Sequence, residues 1–294
     1  MERYHPIIHF IYFCMVIGFG MVWRHPVCLL ISMLCAGAYT FLLFGKEQTL
    51  KGMRFMVILM LFTAVLNPAF SHQGMTVLAY LPTGNVLTLE SICFGVSSAC
   101  MLAAVLMWFR CMSEVITSDK IVYLFGKVVP VLALLLSMIL GFVPKIQKKF
   151  LQIRLARGER HPECTNKLQA FLYGMRRGIE NLSILITWVL EDAVDMADNM
   201  KGKGYGLEGR TTFTTYRFTG RDRRMTILLL LEFAYLLAGD VCKGTEWYYY
   251  PSMEGAGFSI YSISVYVVYL LMCATPLLLE YCEEKRWNKL QSVI

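Results

Sequence analysis

Runs of apolar residues, each about as long as a membrane is thick, constrain this chain more than any other feature. The clearest runs are 7–23, 27–44, 89–109 and 258–279. About 20 apolar residues in a helix cross the hydrocarbon core of a bilayer. We therefore predict an all-α fold, a polytopic membrane helix bundle with the lipid bilayer as its surroundings.

Composition supports this class and excludes others. Of the 294 residues, 56% are hydrophobic and only 17% are charged, whereas a soluble domain has about a quarter charged residues. A nucleic-acid-binding protein needs a basic surface on a water-facing domain, so we expect no nucleic acid partner. The ten cysteines are scattered, and His161 with Cys164 supplies only two ligands, which is too few for a zinc site. We predict no metal site and no cofactor.

The net charge of +7 is concentrated in one segment. Sixteen of the 28 Lys and Arg residues lie between Lys145 and Arg224, which indicates that this segment stays on the cytoplasmic side. The predicted organisation is therefore membrane helices over 1–144, a cytosolic segment over 145–224, and further membrane helices over 225–294.

The number of spans in the first segment depends on the run 122–143. A third, shorter span around 56–66 and a fourth at 89–109 bring the count to four. With four spans the amino terminus and the basic loops 45–53 and 110–124 are cytoplasmic, while the loop 69–87, which has no Lys or Arg, is outside. We therefore expect 122–143 to lie in the interface, or to dip in and return, rather than to cross.

Two amphipathic helices are predicted in the cytosolic segment. From Lys145 the apolar residues Ile146, Phe150 and Ile153 recur at helical spacing with lysines off that stripe, a pattern suited to a membrane surface. Gly178 is expected to interrupt the next helical run. The second amphipathic helix follows, and its acidic side comprises Glu191, Asp195 and Asp198.

Each of these helices ends in a triplet of a small residue, a cation and glycine. The triplets are Ala156-Arg157-Gly158 and Gly202-Lys203-Gly204. From their spacing alone, two solvated cations that help to set topology are favoured over docking onto a partner. The chain has no P-loop, G-x-x-x-x-G-K-[ST], and no clustered catalytic side chains, so we expect no enzymatic activity.

Several short pieces, taken in order along the chain, resemble the transmembrane T component of energy-coupling-factor (ECF) transporters, the CbiQ/EcfT family. They are His5-Pro6, Asn67-Pro68-Ala69-Phe70, Phe142-Val143-Pro144 leading into Ala156-Arg157-Gly158, Met200 to Gly206 with Glu208-Gly209-Arg210-Thr211, and Asp222. Two departures stand out. Lys203 replaces the usual Arg, which keeps the charge but not the planar fork, and 258–279 is an additional span.

The resemblance implies a non-catalytic subunit of an ABC importer in the plasma membrane of a bacterium or archaeon. Its partners would be two ABC ATPase subunits and a substrate-binding S component, and its cargo a vitamin or a transition-metal ion such as cobalt or nickel. Arg157 and Lys203 would dock into the two ATPases. Small neighbours would let partner backbone approach closely: Ala156, Gly158, Gly202 and Gly204.

Two other classes remain as alternatives. A self-sufficient secondary transporter should show paired halves with broken helices and buried charges, and a membrane-embedded enzyme should show clustered His, Asp or Ser. Recovery of ATPase subunits with the chain from native membranes would separate the three classes.

Overall fold

Eight helices and two small β-hairpins make up the residues that the computed structural model describes: 4–71, 73–80, 86–126, 129–158, 167–205, 216–255 and 259–291. The helices are α1 (Pro6–Val22), α2 (Pro26–Phe70), α3 (Leu89–Val115), α4 (Ser118–Gly126), α5 (Pro130–Ala156), α6 (Lys167–Gly202), α7 (Gly220–Val241) and α8 (Ile260–Gln291). The predicted all-α class is confirmed. The sequence did not predict the antiparallel hairpins, β1 (Val77–Tyr80) with β2 (Val86–Thr88) and β3 (Trp247–Tyr248) with β4 (Glu254–Gly255).

The chain divides into two compact units. Unit 1 comprises Met1–Thr117 and Tyr216–Ile294, and unit 2 comprises Ser118–Thr215. Unit 1 therefore holds α1, α2, α3, α7, α8 and both hairpins, whereas unit 2 holds α4, α5 and α6. The segment boundaries at residues 145 and 224, which concern sides of the membrane, stay a prediction.

Three of the described helices are long and apolar enough to cross a membrane. They lie within Pro26–Phe70, Leu89–Val115 and Ile260–Lys285, and the shorter Pro6–Val22 is also apolar. These apolar helices support the predicted membrane protein. The last apolar run, predicted as a span over 258–279, is helical from Ile260 onward within α8 and is one of these three candidates.

The first two helices of unit 1 begin in the same way. His5 and His25 each precede a proline at the first helical position, and the imidazole Nδ1 of each accepts the backbone N–H two residues later, at 3.3 Å. Proline suits this position because the first N–H groups of a helix have no intrahelical acceptor. The His-Pro dipeptides therefore set where α1 and α2 begin.

A bend replaces one loop that the sequence predicted. The segment 45–53 is helical, and α2 runs across it with a single break at Gly45, whose φ of 72° is outside the helical range. Arg110 of α3 braces the bend because its guanidinium lies 4.3 Å from the Phe44 ring centre and donates to the Gln48 carbonyl at 3.3 Å. Gly52 leaves the space that the Arg110 side chain occupies.

Aromatic side chains fill the core of unit 1. Trp108, Tyr12, Tyr39 and Tyr269 are among the largest fully buried side chains, and the rings of Tyr12 and Trp108 meet edge to face at 6.2 Å. The polar atoms of two of these rings have partners: the Trp108 indole donates to Ser32 Oγ at 3.0 Å, and the Tyr12 hydroxyl donates to the Cys273 carbonyl at 3.3 Å. Such pairing is what lets Trp and Tyr be buried without loss of hydrogen bonds. The buried Tyr39 hydroxyl has no hydrogen-bond partner among the described residues.

Two predicted breaks in unit 2 are absent. The helix predicted to begin at Lys145 is the second half of α5, which continues through Pro144. Gly178 does not interrupt its run either, because α6 is one helix of 36 residues. An interior glycine costs a helix only about 1 kcal/mol relative to alanine, which a long helix packed against a neighbour can absorb. That the run 122–143 does not fully cross the membrane stays a prediction.

α5 and α6 pack in antiparallel register. Lys149 of α5 lies with its ammonium 3.6 Å from the ring centre of Trp188, while Arg157 at the end of α5 meets Asn181. Residues later in α5 therefore contact residues earlier in α6. By this register the buried Ile153 lies level with the buried Leu185.

Candidate docking site at two helix carboxyl ends

The first triplet forms the end of α5. Ala156 is the last helical residue, and the N–H of Arg157 donates to the Ile153 carbonyl at 3.1 Å. Gly158 follows with a φ of 67°, and its N–H donates to the Leu155 carbonyl at 3.1 Å. A left-handed glycine directly after the capping residue is a common helix ending, because only glycine adopts that conformation without a steric penalty.

The second triplet forms the end of α6 in the same geometry. Gly202 is the last helical residue, Lys203 donates its N–H to the Asn199 carbonyl at 3.1 Å, and Gly204 has a φ of 70°. The N–H of Gly204 donates to the Lys201 carbonyl at 3.0 Å, and the N–H of Tyr205 donates to the Met200 carbonyl at 3.0 Å. This pair of bonds is the Schellman motif.

Each residue of a triplet thus has a structural position. The small residue is the last in the helix, the cation is the capping residue, and the glycine takes the left-handed turn. A cation at a helix carboxyl end complements the partial negative charge there. A side chain at Gly158 or Gly202 would meet no other atom of the described chain within 4 Å, so the surroundings of both glycines are open.

The two cations differ in their surroundings. The Arg157 guanidinium donates from Nη2 to Glu180 Oε2 at 2.6 Å and from Nη1 to Asn181 Oδ1 at 2.8 Å, both on α6. Within the part of the chain that the structure describes, the exposed Lys203 ammonium has no ion pair. One cation is therefore held by its own chain, and the other extends from a helix end.

α6 also holds the backbone at the end of α5. The Arg177 guanidinium donates from Nη2 to the Gly158 carbonyl at 3.0 Å and more weakly to the Arg157 carbonyl at 3.4 Å. Carbonyl groups in the last turn of a helix lack intrahelical donors, so these bonds satisfy acceptors that would otherwise depend on water. Three residues on one face of α6, Arg177, Glu180 and Asn181, thus contact the first triplet.

Glu180 is shared between two cations. Besides Arg157, it accepts from Arg176 Nε at 3.3 Å. The hydrogen bond from Arg157 is the main reason that the pKa of Glu180 lies below its ordinary value. The carboxylate therefore stays charged at neutral pH, together with the guanidinium that it holds.

The sequence did not single out Arg177, Glu180 or Asn181. The signal that could have found them is their spacing of three and four residues, which places them on one helix face. The acidic side that was predicted, Glu191, Asp195 and Asp198, is exposed on α6, but the ion pair to α5 uses Glu180.

Two further residues of the family resemblance, His5 and Asp222, contact each other in unit 1. Asp222, at the start of α7, is 2% exposed and accepts the backbone N–H of His5 at 3.2 Å through Oδ1. Its other oxygen, Oδ2, accepts from the Thr219 N–H at 2.8 Å and from the Thr219 hydroxyl at 2.6 Å. Burial raises the pKa of Asp222, but these hydrogen bonds outweigh burial and lower it.

The Asn67-Pro68 piece lies at the end of α2 against α3. A side chain at Gly95 would come within 2.9 Å of the Ala64 carbonyl and 3.2 Å of both Asn67 and Pro68, so glycine permits this close approach. The backbone carbonyl of Asn67 also accepts the N–H of Ser71, the capping residue of α2, at 2.8 Å.

Other predicted pieces fall outside the described residues: His161, Cys164, Gly206 and Glu208-Gly209-Arg210-Thr211. Among the residues that are described, no group of three or more His, Cys, Asp or Glu side chains is placed to hold a metal ion.

No protein-family model matches the chain, and no curated protein matches it significantly.

Proposed function

We propose that this chain is the energy-coupling transmembrane subunit of an ECF-type ABC importer. In this role it transmits the ATP-driven motion of two ATPase subunits to a separate membrane protein that binds a vitamin or a transition-metal ion. The chain itself hydrolyses no ATP and acts in the plasma membrane. The observation that carries the proposal is the geometric equivalence of the two triplets at the ends of α5 and α6.

Equivalent ends suit two equivalent partners. In each triplet the cation follows the last helical residue directly. The surroundings are open at the turn residue Gly158 of the first triplet and at the last helical residue Gly202 of the second. A partner with a carboxylate or carbonyl groups in a groove can pair with such a cation. Two identical or homologous ATPases would each accept one helix end.

The spacing of the two ends also fits two separate partners. Arg157 contacts Asn181, and Lys203 lies 22 positions after Asn181. At 1.5 Å per residue, the two contact points are about 33 Å apart along the helix. That distance is about the diameter of a small domain, so two partners can bind without overlapping.

The order of the remaining pieces supports the same family. His5-Pro6 begins α1, Asn67-Pro68 ends the bent α2, and Asp222 joins α7 to His5. Each of these pieces thus lies at the beginning or end of a helix, as the triplets do.

Affinity purification of the tagged chain from native membranes tests the proposal. We expect two ATPase subunits with the wild-type chain and neither with the variant R157A/K203A. K201A is the matched control, because it removes an exposed cation two residues from Lys203 and should retain the ATPases. Recovery of no ATPase with the wild type, together with substrate uptake by the chain alone in liposomes, would instead establish a self-sufficient transporter.

A further inference from the structure

The contact between Glu180 and Arg157 joins two helices at the point where one of them ends. Arg157 is the capping residue of α5, and Glu180 lies in the middle of α6. Their side chains are 33% and 42% exposed, so neither is enclosed by the described protein. The pair therefore lies at the surface of unit 2, where a partner can reach it.

Glu180 and Asn181 engage only part of the Arg157 guanidinium. A guanidinium carries five N–H donors, two on each Nη and one on Nε. The described contacts use one donor of Nη1 and one of Nη2. Three donors remain for other acceptors, and two anchored nitrogens fix the plane in which those donors point.

Net charge around this contact also favours a second anion. Arg157 and Arg176 both donate to Glu180, so this one carboxylate is shared between two guanidinium groups. A single carboxylate cannot neutralise that charge. A partner carboxylate would add to the cluster without displacing Glu180.

We propose that Glu180 is a positioning residue for the docking cation Arg157. It holds the guanidinium from the neighbouring helix in a fixed orientation and leaves it free to bind a partner's carboxylate or carbonyl groups at the same time. What Arg157 binds rests on the proposed function, whereas its orientation by Glu180 does not. Lys203 has no equivalent residue among those described, so the two docking ends are organised differently.

The test compares E180A with E191A in the full-length chain. Glu191 lies on nearly the same face of α6, three turns further on, and is exposed. Alanine is the best helix former, so neither change should disturb α6 itself. The first readout is hydrogen exchange of the backbone amides over 153–158 in the purified protein.

We expect E180A to speed exchange at the end of α5 about two- to fivefold, the range for one partly exposed ion pair. E191A should match the wild type, and E180A should have no further effect in an R157A background. E180Q, which keeps an acceptor but loses the charge, should fall between E180A and the wild type. Unchanged exchange in E180A would overturn the proposal.

The second readout is recovery of the ATPase subunits from native membranes. Positioning predicts that E180A lowers recovery, whereas a Glu180 that competes with the partner for Arg157 would make E180A raise it, which would also overturn the proposal. If R157A itself leaves recovery unchanged, the proposed function fails, and the exchange measurements still decide whether Glu180 orients Arg157.

Discussion

The ends of α5 and α6 share one backbone geometry but differ in how their cations are held. Both end in a small residue, a capping cation and a left-handed glycine. At the α5 end, Glu180, Asn181 and Arg177 fix both the side chain and the backbone. The shared triplet therefore encodes the turn, whereas the orientation of Arg157 is encoded on the helix packed beside it.

Loss of both cations should have the largest effect on ATPase association. Each docked, charge-assisted contact should contribute about ten- to a hundredfold in association with an ATPase. R157A/K203A should therefore be worse than either single variant, with an unchanged amount of chain in the membrane. Quantitative recovery of the ATPases and substrate uptake in cells are the measurements. Normal assembly and uptake by the double variant would leave the cations with a role in topology only.

Alanine at the two left-handed glycines tests whether the ends are equivalent. G158A and G204A should each destabilise their turn by about 1–2 kcal/mol, because both positions have a positive φ. G202A is the control. Gly202 is helical and unobstructed, so alanine there should stabilise by about 0.5–1 kcal/mol. Denaturant unfolding in detergent would measure these changes, and very different values for G158A and G204A would contradict equivalence.

Exchanging the two kinds of cation should reveal the difference between the ends. R157K should weaken ATPase association by up to about tenfold, because an ammonium cannot hold Glu180 and Asn181 in one plane and still present ordered donors to a partner. K203R should be tolerated, since no described residue orients that side chain. Equal losses for R157K and K203R would show that orientation is unimportant.

Acidification should loosen only the α5 end. The hydrogen bond from Arg157 keeps the folded pKa of Glu180 below its unfolded value, so the contact stabilises fully above the unfolded pKa of about 4.3 and is lost as pH falls through the folded pKa. Between pH 7 and 5 exchange at the α5 end should be constant after correction for the intrinsic rate. Below about pH 4 it should rise, without a matching rise at 199–205.

Apolar runs predicted the long helices of unit 1, because hydropathy and length decide whether a helix suits a membrane. Proline and glycine residues, which often interrupt helices, predicted the helix boundaries less well. Pro144 and Gly178 lie inside helices, while Gly45 produces a bend instead of a loop. The triplets were found from sequence because a cap is local. Glu180 was missed because its partner lies 23 residues away on another helix, a pairing that only packing reveals.

The bond between His5 and Asp222 has a consequence for the order of events during synthesis. Its two residues are 217 positions apart. At 5–20 residues per second, a ribosome needs about 10–40 s to reach Asp222 after His5. For that interval the backbone N–H of His5 lacks the Asp222 carboxylate that accepts it in the folded chain, so α1 cannot yet make this contact with α7. Stalled nascent chains ending before and after residue 222 should therefore differ in protease protection of their first residues.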